Sequence, residues 1–302
     1  MSKRVEQKAR TRERVAAELA AQQRAERRRR LLLAVGAVVV VIVVIGGLVA
    51  IRLAGGEKKT ATGPSGKADT SLTTALAAVP AETFDKVGTD GVQGGPSEIT
   101  APALTAGGKP KVLYIGAEFC PYCAAERWPV TVALSRFGTF SNLGTTHSAS
   151  EDVFPNTPTL SFHGATYTSQ YLAFTGVETT TNEMVGNGYK PLDTPTAEDQ
   201  KTFDTYNKPP YVESDGSIPF IDLGGKYVGS GATYSPDLLA GKTQTEIADA
   251  LKDPSSPIAK AVVGSANVYT AAMCKLTNNQ PAKVCSTDAV TAAAAKLGAA
   301  KG

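Results

Sequence analysis

The sequence predicts a mixed α/β domain hung from one apolar N-terminal helix, and three stretches carry that prediction. The apolar run Val112 to Ile115, closed by Gly116, reads as a buried strand. It leads through Cys120-Pro121-Tyr122-Cys123 into Ala124, Ala125, Glu126 and Arg127, which are good helix formers. Farther on, Ile218 to Leu223, Gly224-Gly225 and Lys226 to Val228 read as a hairpin with a two-residue turn. Ahead of both stands Leu31 to Ile51, twenty-one residues without a charge.

Taken in order, the chain opens on a basic tail. Of 31 Lys/Arg and 28 Asp/Glu, residues 1–30 hold eleven basic and four acidic, or +7, which leaves −4 on the remainder. Basic charge confined to a tail argues against nucleic acid as a partner of the whole chain. At about 1.5 Å per residue, the apolar run at 31–51 spans the ~30 Å hydrocarbon core as a helix. The arginines before it keep the N-terminus in the cytoplasm and place the residues after Ile51 outside. The competing reading, a cleaved signal peptide, fits less well, because the basic region is long and no clear Ala-x-Ala site comes after it. The expected localisation is therefore the cell membrane, single-pass, with an extracytoplasmic domain.

Residues 52–79 read as a flexible linker rich in Gly, Lys, Thr, Ser and Ala, with a short helix from Leu72 to Val79 ended by Pro80. The domain proper is expected over 80–302. Thr89 to Lys109 is Gly- and Pro-rich and reads as surface loop. After the dithiol the helix should stop near Arg136, and strands are expected around Asn142–Ser148 and Thr159–Phe162. Tyr167 to Phe174 reads as strand or exposed insertion, and Thr175 to Gly216 as loop. Pro219 lies 96 positions after Cys123, so an insertion at about 149–216 is expected between two halves of the fold. Thr243-Gln-Thr-Glu246 is a capping box that opens a helix through Leu251, stopped by Pro254. The Ala-rich segment at about 257–302 reads as a helical extension of two helices.

The Cys pair carries the chemistry. Cys120 at a helix N-terminus meets unpaired N–H groups and the positive end of the dipole, which favour a thiolate and make it the attacking sulfur. Cys123, one turn on, is placed to close an intramolecular disulfide and release a bound partner. A structural zinc site and an inert staple are the alternatives. Zinc would need two more ligands, and Cys274 and Cys285 lack the spacing of a compact second pair. His147 and His163 stand apart and read as ordinary surface or core residues. Outside the cytoplasm an even number of cysteines favours disulfides, and Cys274 and Cys285 are placed to staple the C-terminal helix pair. Four cysteines allow three connectivities, and a second redox relay is the other reading of that pair.

Residues 111–137 resemble the strand and active-site helix of the thioredoxin superfamily, and Pro121-Tyr122 between the cysteines is similar to the glutaredoxin dipeptide. The longer run from Tyr114 to Trp128 resembles a poorly characterised, membrane-anchored thioredoxin-like family known as a domain of unknown function. Ser217-Ile218-Pro219-Phe220 resembles the superfamily's cis-proline motif. The resemblance covers roughly 80–260 and implies a thioredoxin-like fold in which Ile218 and Pro219, with Pro121 and Tyr122, shape a substrate groove beside Cys120. Two positions depart from it. Tyr114 stands where thioredoxins place a buried Asp, leaving Glu118 or Glu126 as substitutes, and Pro129 comes six residues after Cys123 rather than five.

The expectation is a thiol–disulfide oxidoreductase acting on thiols or disulfides of exported proteins, reset by a redox partner the sequence does not name, with no metal or organic cofactor. Its rival is a non-catalytic thioredoxin-like binding module with a permanent Cys120–Cys123 bond.

Overall fold

Residues 69–298 are described by the computed structural model. The basic tail and the expected membrane helix at 31–51 lie outside them, and no helix among the described residues is long and apolar enough to cross a membrane. The domain begins before residue 80. Helix α1 (Thr70–Ala77) is capped by Asp69, whose carboxylate accepts from Leu72 N at 3.0 Å, and it buries Leu72 and Leu76. The end of the expected linker is thus packed structure, because those two leucines fall one turn apart on one face. Helix α2 (Ala81–Val87) follows Pro80 and closes at Gly88.

Two short strands, β1 (Ser97–Glu98) and β2 (Thr105–Ala106), interrupt the stretch expected as loop. Strand β3 (Lys109–Gly116) is buried from Lys111 onward. It leads to helix α3 (Pro121–Ser135), which contains Pro129 and ends at Arg136 as the sequence predicts. Next come β4 (Gly138–Ser141), β5 (Gly144–His147), β6 (Pro158–Ser161) and β7 (Thr166–Ser169), pairing antiparallel as β4 with β7 and β5 with β6.

The segment at 149–216 corrects the sequence reading. Far from being loop after Thr175, it holds β8 (Ala173–Glu178), β9 (Thr180–Val185), β10 (Gly188–Pro191) and α4 (Ala197–Tyr206). Strand β8 runs parallel along β3 from Lys111↔Ala173 to Gly116↔Glu178, so it belongs to the main sheet rather than to an insertion. Gly176 and Glu178 weaken its strand signal, and the pairing, not the propensity, decides it. Helix α4 is held to the sheet by a buried ion pair between Asp199 and Lys111 of β3.

Strands β11 (Phe220–Leu223) and β12 (Tyr227–Ser230) form the expected hairpin. Gly224 and Gly225 both have positive φ, and Leu223 O accepts from Lys226 N at 3.1 Å. The ladder resumes at Leu223↔Tyr227, so the connection is three residues rather than two. A side chain at Gly225 would meet Pro102 O at 2.2 Å. The sheet order is β1-β12-β11-β3-β2, with β8 also along β3 and β11 antiparallel to it.

A 3₁₀ turn (Pro236–Leu239) precedes α5 (Gln244–Ala250), whose capping box is formed by Thr243 and Glu246. The C-terminal extension contains three helices, not two: the long α6 (Pro257–Leu276), the single-turn α7 (Ala282–Cys285) and α8 (Asp288–Ala294). Strand β3 separates two cores. Val112 and Tyr114 join the large cluster with α3 and α6, while Leu113 and Ile115 join Leu104, Val177 and Phe203 of α4 on the other face. Burial on both faces explains why β3 reads as a continuous apolar run.

The disulfide Cys274–Cys285 ties the end of α6 to α7, with Cα atoms 5.6 Å apart and a sequence separation of 11. A loop of this length restricts the unfolded chain by about 3 kcal/mol. The double substitution Cys274→Ser, Cys285→Ser is expected to lower unfolding stability by about that amount. Urea unfolding with unchanged slope would show it, and an unchanged midpoint would contradict the assignment.

Candidate functional site

The dithiol sits where β3 hands over to α3. Cys120 is the N-cap of α3 in extended backbone geometry, Pro121 occupies the first helical turn, and Cys120 Sγ accepts from Cys123 N at 3.3 Å. Proline suits that position because its missing N–H would have no helical partner there. Both thiols are unbridged, and both are buried, with Cys120 5 % and Cys123 0 % exposed.

Their electrostatics differ. The hydrogen bond from the Cys123 thiol holds Cys120 below the ordinary thiol value; burial opposes this, and the Cys123 N–H and the Arg127 guanidinium assist it. Cys123 is pushed well above its ordinary value by burial first, then by the proton it gives to Cys120. The thiolate form is therefore easier to reach at Cys120 than at Cys123.

The expected groove residues do meet the dithiol. Ile218–Pro219 is a cis peptide, and the Ile218 carbonyl lies 3.8 Å from Cys120 Sγ. Pro219 O accepts from Gly231 N at 2.9 Å, while Ser217 O accepts from Asn207 Nδ2 at 2.8 Å and Ser230 Oγ at 3.0 Å, so both sides of this bend are pinned. Tyr122 is exposed, with its ring edge-on to Phe154 at 5.8 Å. Cys274 and Cys285 are not part of this group; they are bonded to each other in the C-terminal helices.

Two segments of the expected insertion frame the dithiol. Ala149 N donates to Phe119 O at 2.8 Å, which holds the 149–157 loop, and Glu118 N donates to Thr180 O at 2.9 Å, which holds the β9–β10 hairpin. Phe119 stacks on Tyr189 of that hairpin at 4.2 Å. The large exposed hydrophobics among the described residues are Tyr122, Val153, Met184 and Val185, and all four lie on these segments or between the cysteines.

Beneath the sulfurs is a layer of buried polar groups. Tyr114 donates its hydroxyl to Cys123 O at 3.4 Å, and burial pushes its phenol well up. The two carboxylates suggested as substitute acceptors are engaged with other groups. Glu118 accepts from Ser161 Oγ at 2.6 Å, and Glu126 accepts from Tyr269 OH at 2.5 Å and from Thr233 N at 2.8 Å. Sequence reasoning missed the Arg127–Glu178 pair. Both side chains are fully buried, with Nε to Oε1 at 2.8 Å and Nη2 to Oε2 at 2.6 Å. Its one signal was an arginine inside an otherwise apolar helical run, which a buried helix tolerates only if a partner comes from elsewhere.

His163 pairs with Asp193 at 2.7 Å, and His147 lies against Asn182 at 3.3 Å, so the two histidines serve separate contacts. Among the described residues no group of three or more His, Cys, Asp or Glu is arranged to hold a metal ion.

Burial raises the Glu126 carboxyl to about 7 against the hydrogen bonds from Tyr269 and Thr233. Because this lies above the value of an unfolded glutamate, the unfolded chain binds fewer protons between about pH 4.5 and 7, and stability falls as pH rises through that window. Glu126→Gln is expected to remove that fall, up to roughly 3 kcal/mol across the window. Chemical unfolding of both proteins across this pH range checks it, and parallel curves would exclude Glu126 as the source.

No curated protein and no solved structure matches the chain. Residues 97–188 and 187–275 match the family described as Domain of unknown function (DUF929), a span that takes in the strands of the main sheet, the dithiol and nearly all of α6. The chain therefore belongs to the DUF929 family, with its Cys-x-x-Cys pair inside the matched region.

Proposed function

We propose that this protein is a thiol–disulfide oxidoreductase of thioredoxin-like fold, anchored in the cell membrane through residues 31–51 and acting outside the cytoplasm on thiols or disulfides of exported proteins. The observation that carries this reading is the asymmetric dithiol: Cys120 at the cap of α3 with its thiol held low, and Cys123 buried beside it with its thiol held high. A plain staple has no need of such a difference.

The order of the sheet supports the fold assignment. Strand β3 is flanked by parallel β8 and antiparallel β11, with β12 beyond, and the dithiol helix follows β3 directly. The Ile218–Pro219 bend faces Cys120, as expected for a groove that receives an extended chain. The exposed Tyr122, Val153, Met184 and Val185 offer an apolar rim to an unfolded partner.

In the reducing direction the Cys120 thiolate attacks a substrate disulfide. A sulfur–sulfur bond forms to Cys120, the substrate bond breaks, and the departing substrate thiolate takes a proton. Cys123, once deprotonated, attacks Cys120 Sγ, releasing the second substrate thiol and closing Cys120–Cys123. Two electrons pass to the substrate, and a redox partner must return them. The oxidising direction is the reverse. Both sulfurs come from this chain.

The test is the redox equilibrium of the full-length protein in glutathione buffers, read by alkylation and mass. A two-electron couple between about −270 and −120 mV is expected, with Cys123→Ser accumulating mixed disulfides through Cys120 and Cys120→Ser forming none. A Cys120–Cys123 bond that stays closed at every poise would falsify the oxidoreductase reading and leave the binding module.

A further inference from the structure

Among the described residues, Arg127 is the formal positive charge in the layer beneath the sulfurs, and the exchange steps make no use of it. It stands four residues after Cys123 on α3, so the two side chains share one face of the helix. Its Nη2 donates to Ala117 O at 2.7 Å, and the same carbonyl accepts from Cys120 N at 3.3 Å. Its Cζ lies 6.0 Å from the centre of the Tyr114 ring, whose hydroxyl reaches Cys123 O. Guanidinium, phenol and dithiol are therefore linked through Ala117 O and Cys123 O, and all are buried.

Three hydrogen bonds commit Nε to Glu178 and Nη2 to both Glu178 and Ala117 O, whereas Nη1 is buried with no hydrogen-bond partner. Burial works against the charge, but Glu178 keeps the guanidinium protonated. A cation that water cannot reach acts on nearby anions far more strongly than one at the surface.

The geometry points to Arg127 as a positioning residue of the dithiol: its buried charge favours the reduced, thiolate-bearing pair over the disulfide, and Glu178 sets how much of that charge the sulfurs feel. This rests on the redox reading of the Cys pair. Oxidation of the pair joins the two sulfurs and releases two electrons with the thiol proton or protons, so the anion that Arg127 favours exists only on the reduced side. The guanidinium thus makes the disulfide easier to reduce and the protein a stronger oxidant.

A structural role and an electrostatic one differ in sign. Arg127→Gln removes the cation, and Glu178→Gln removes the anion that offsets it. If Arg127 acts by charge, Arg127→Gln raises the Cys120 titration, read as ultraviolet thiolate absorbance in the full-length protein against Cys120→Ser. It also moves the glutathione equilibrium at least tenfold toward the disulfide, about 30 mV more reducing. Glu178→Gln moves both readings the opposite way, and Arg127→Lys stays on the wild-type side.

Should Arg127→Gln fail to fold, the neutral double variant Arg127→Gln, Glu178→Gln replaces it, with the same direction expected. Shifts of the same sign from Arg127→Gln and Glu178→Gln, or a folded charge variant with an unmoved Cys120 titration, would overturn the assignment. If the wild-type pair does not equilibrate with glutathione, the redox reading fails, yet the same titration in a Cys123→Ser background, where the bond cannot close, still decides whether Arg127 acts on Cys120.

Discussion

Helix α3 is buried from Cys123 to Leu134, and the structure depends on how its two charged residues there are met. A helix enclosed on all sides cannot turn a charge to water, so every formal charge must find a partner on another element. Arg127 is met by Glu178 at the end of β8, and Glu126 by Tyr269 of α6 and by Thr233 after β12. Those contacts fasten the dithiol helix to the sheet on one hand and to the C-terminal helix on the other. Leaving either partner of the ion pair alone would cost about 3–5 kcal/mol, a large share of an ordinary domain's stability.

The same enclosure separates the roles of the two sulfurs. Cys120 is at the cap, where donors converge on it, and Cys123 is one turn deeper, where burial disfavours charge. Local helix geometry provides the first effect, and packing of α3 against β6 and α6 provides the second. The approach to Cys120 is then shaped by three segments far apart in sequence: the Ile218–Pro219 bend, the 149–157 loop and the β9–β10 hairpin. Backbone hydrogen bonds to Phe119 O and from Glu118 N hold the last two in place, so the loop before the first cysteine anchors the rim around it.

Much of this was legible from residue order. The strand at 112–115, the helix begun at Cys120, the capping box at Thr243 and the glycine turn at 224–225 are local features, each decided within a few residues by burial pattern, capping or positive φ. The Cys274–Cys285 staple was the favoured one of three connectivities, expected from the placement of both cysteines about the turn between the C-terminal helices. The second central strand was not. Ala-Phe-Thr-Gly-Val-Glu mixes strand formers with Gly176 and Glu178, and β8 exists because β3 offers it a parallel edge and Phe162 packs over Gly176. Likewise α1 was expected only within a linker, since it packs against α3 and α5, elements far along the chain.

By itself the sequence determined the chemistry available, a Cys-x-x-Cys pair at the start of a helix preceded by a buried strand, because those depend on near neighbours along the chain. Only the tertiary structure decided the surroundings of that chemistry: Tyr114 beneath Cys123, Glu178 against Arg127, Tyr269 against Glu126, and the apolar rim at Val153, Met184 and Val185. Each of these partners lies at least nine positions from the residue it serves, most of them far more, and a long-range contact leaves no periodicity to read. The physical reason is that burial creates the demand for a partner locally, while the fold alone determines which distant residue supplies it.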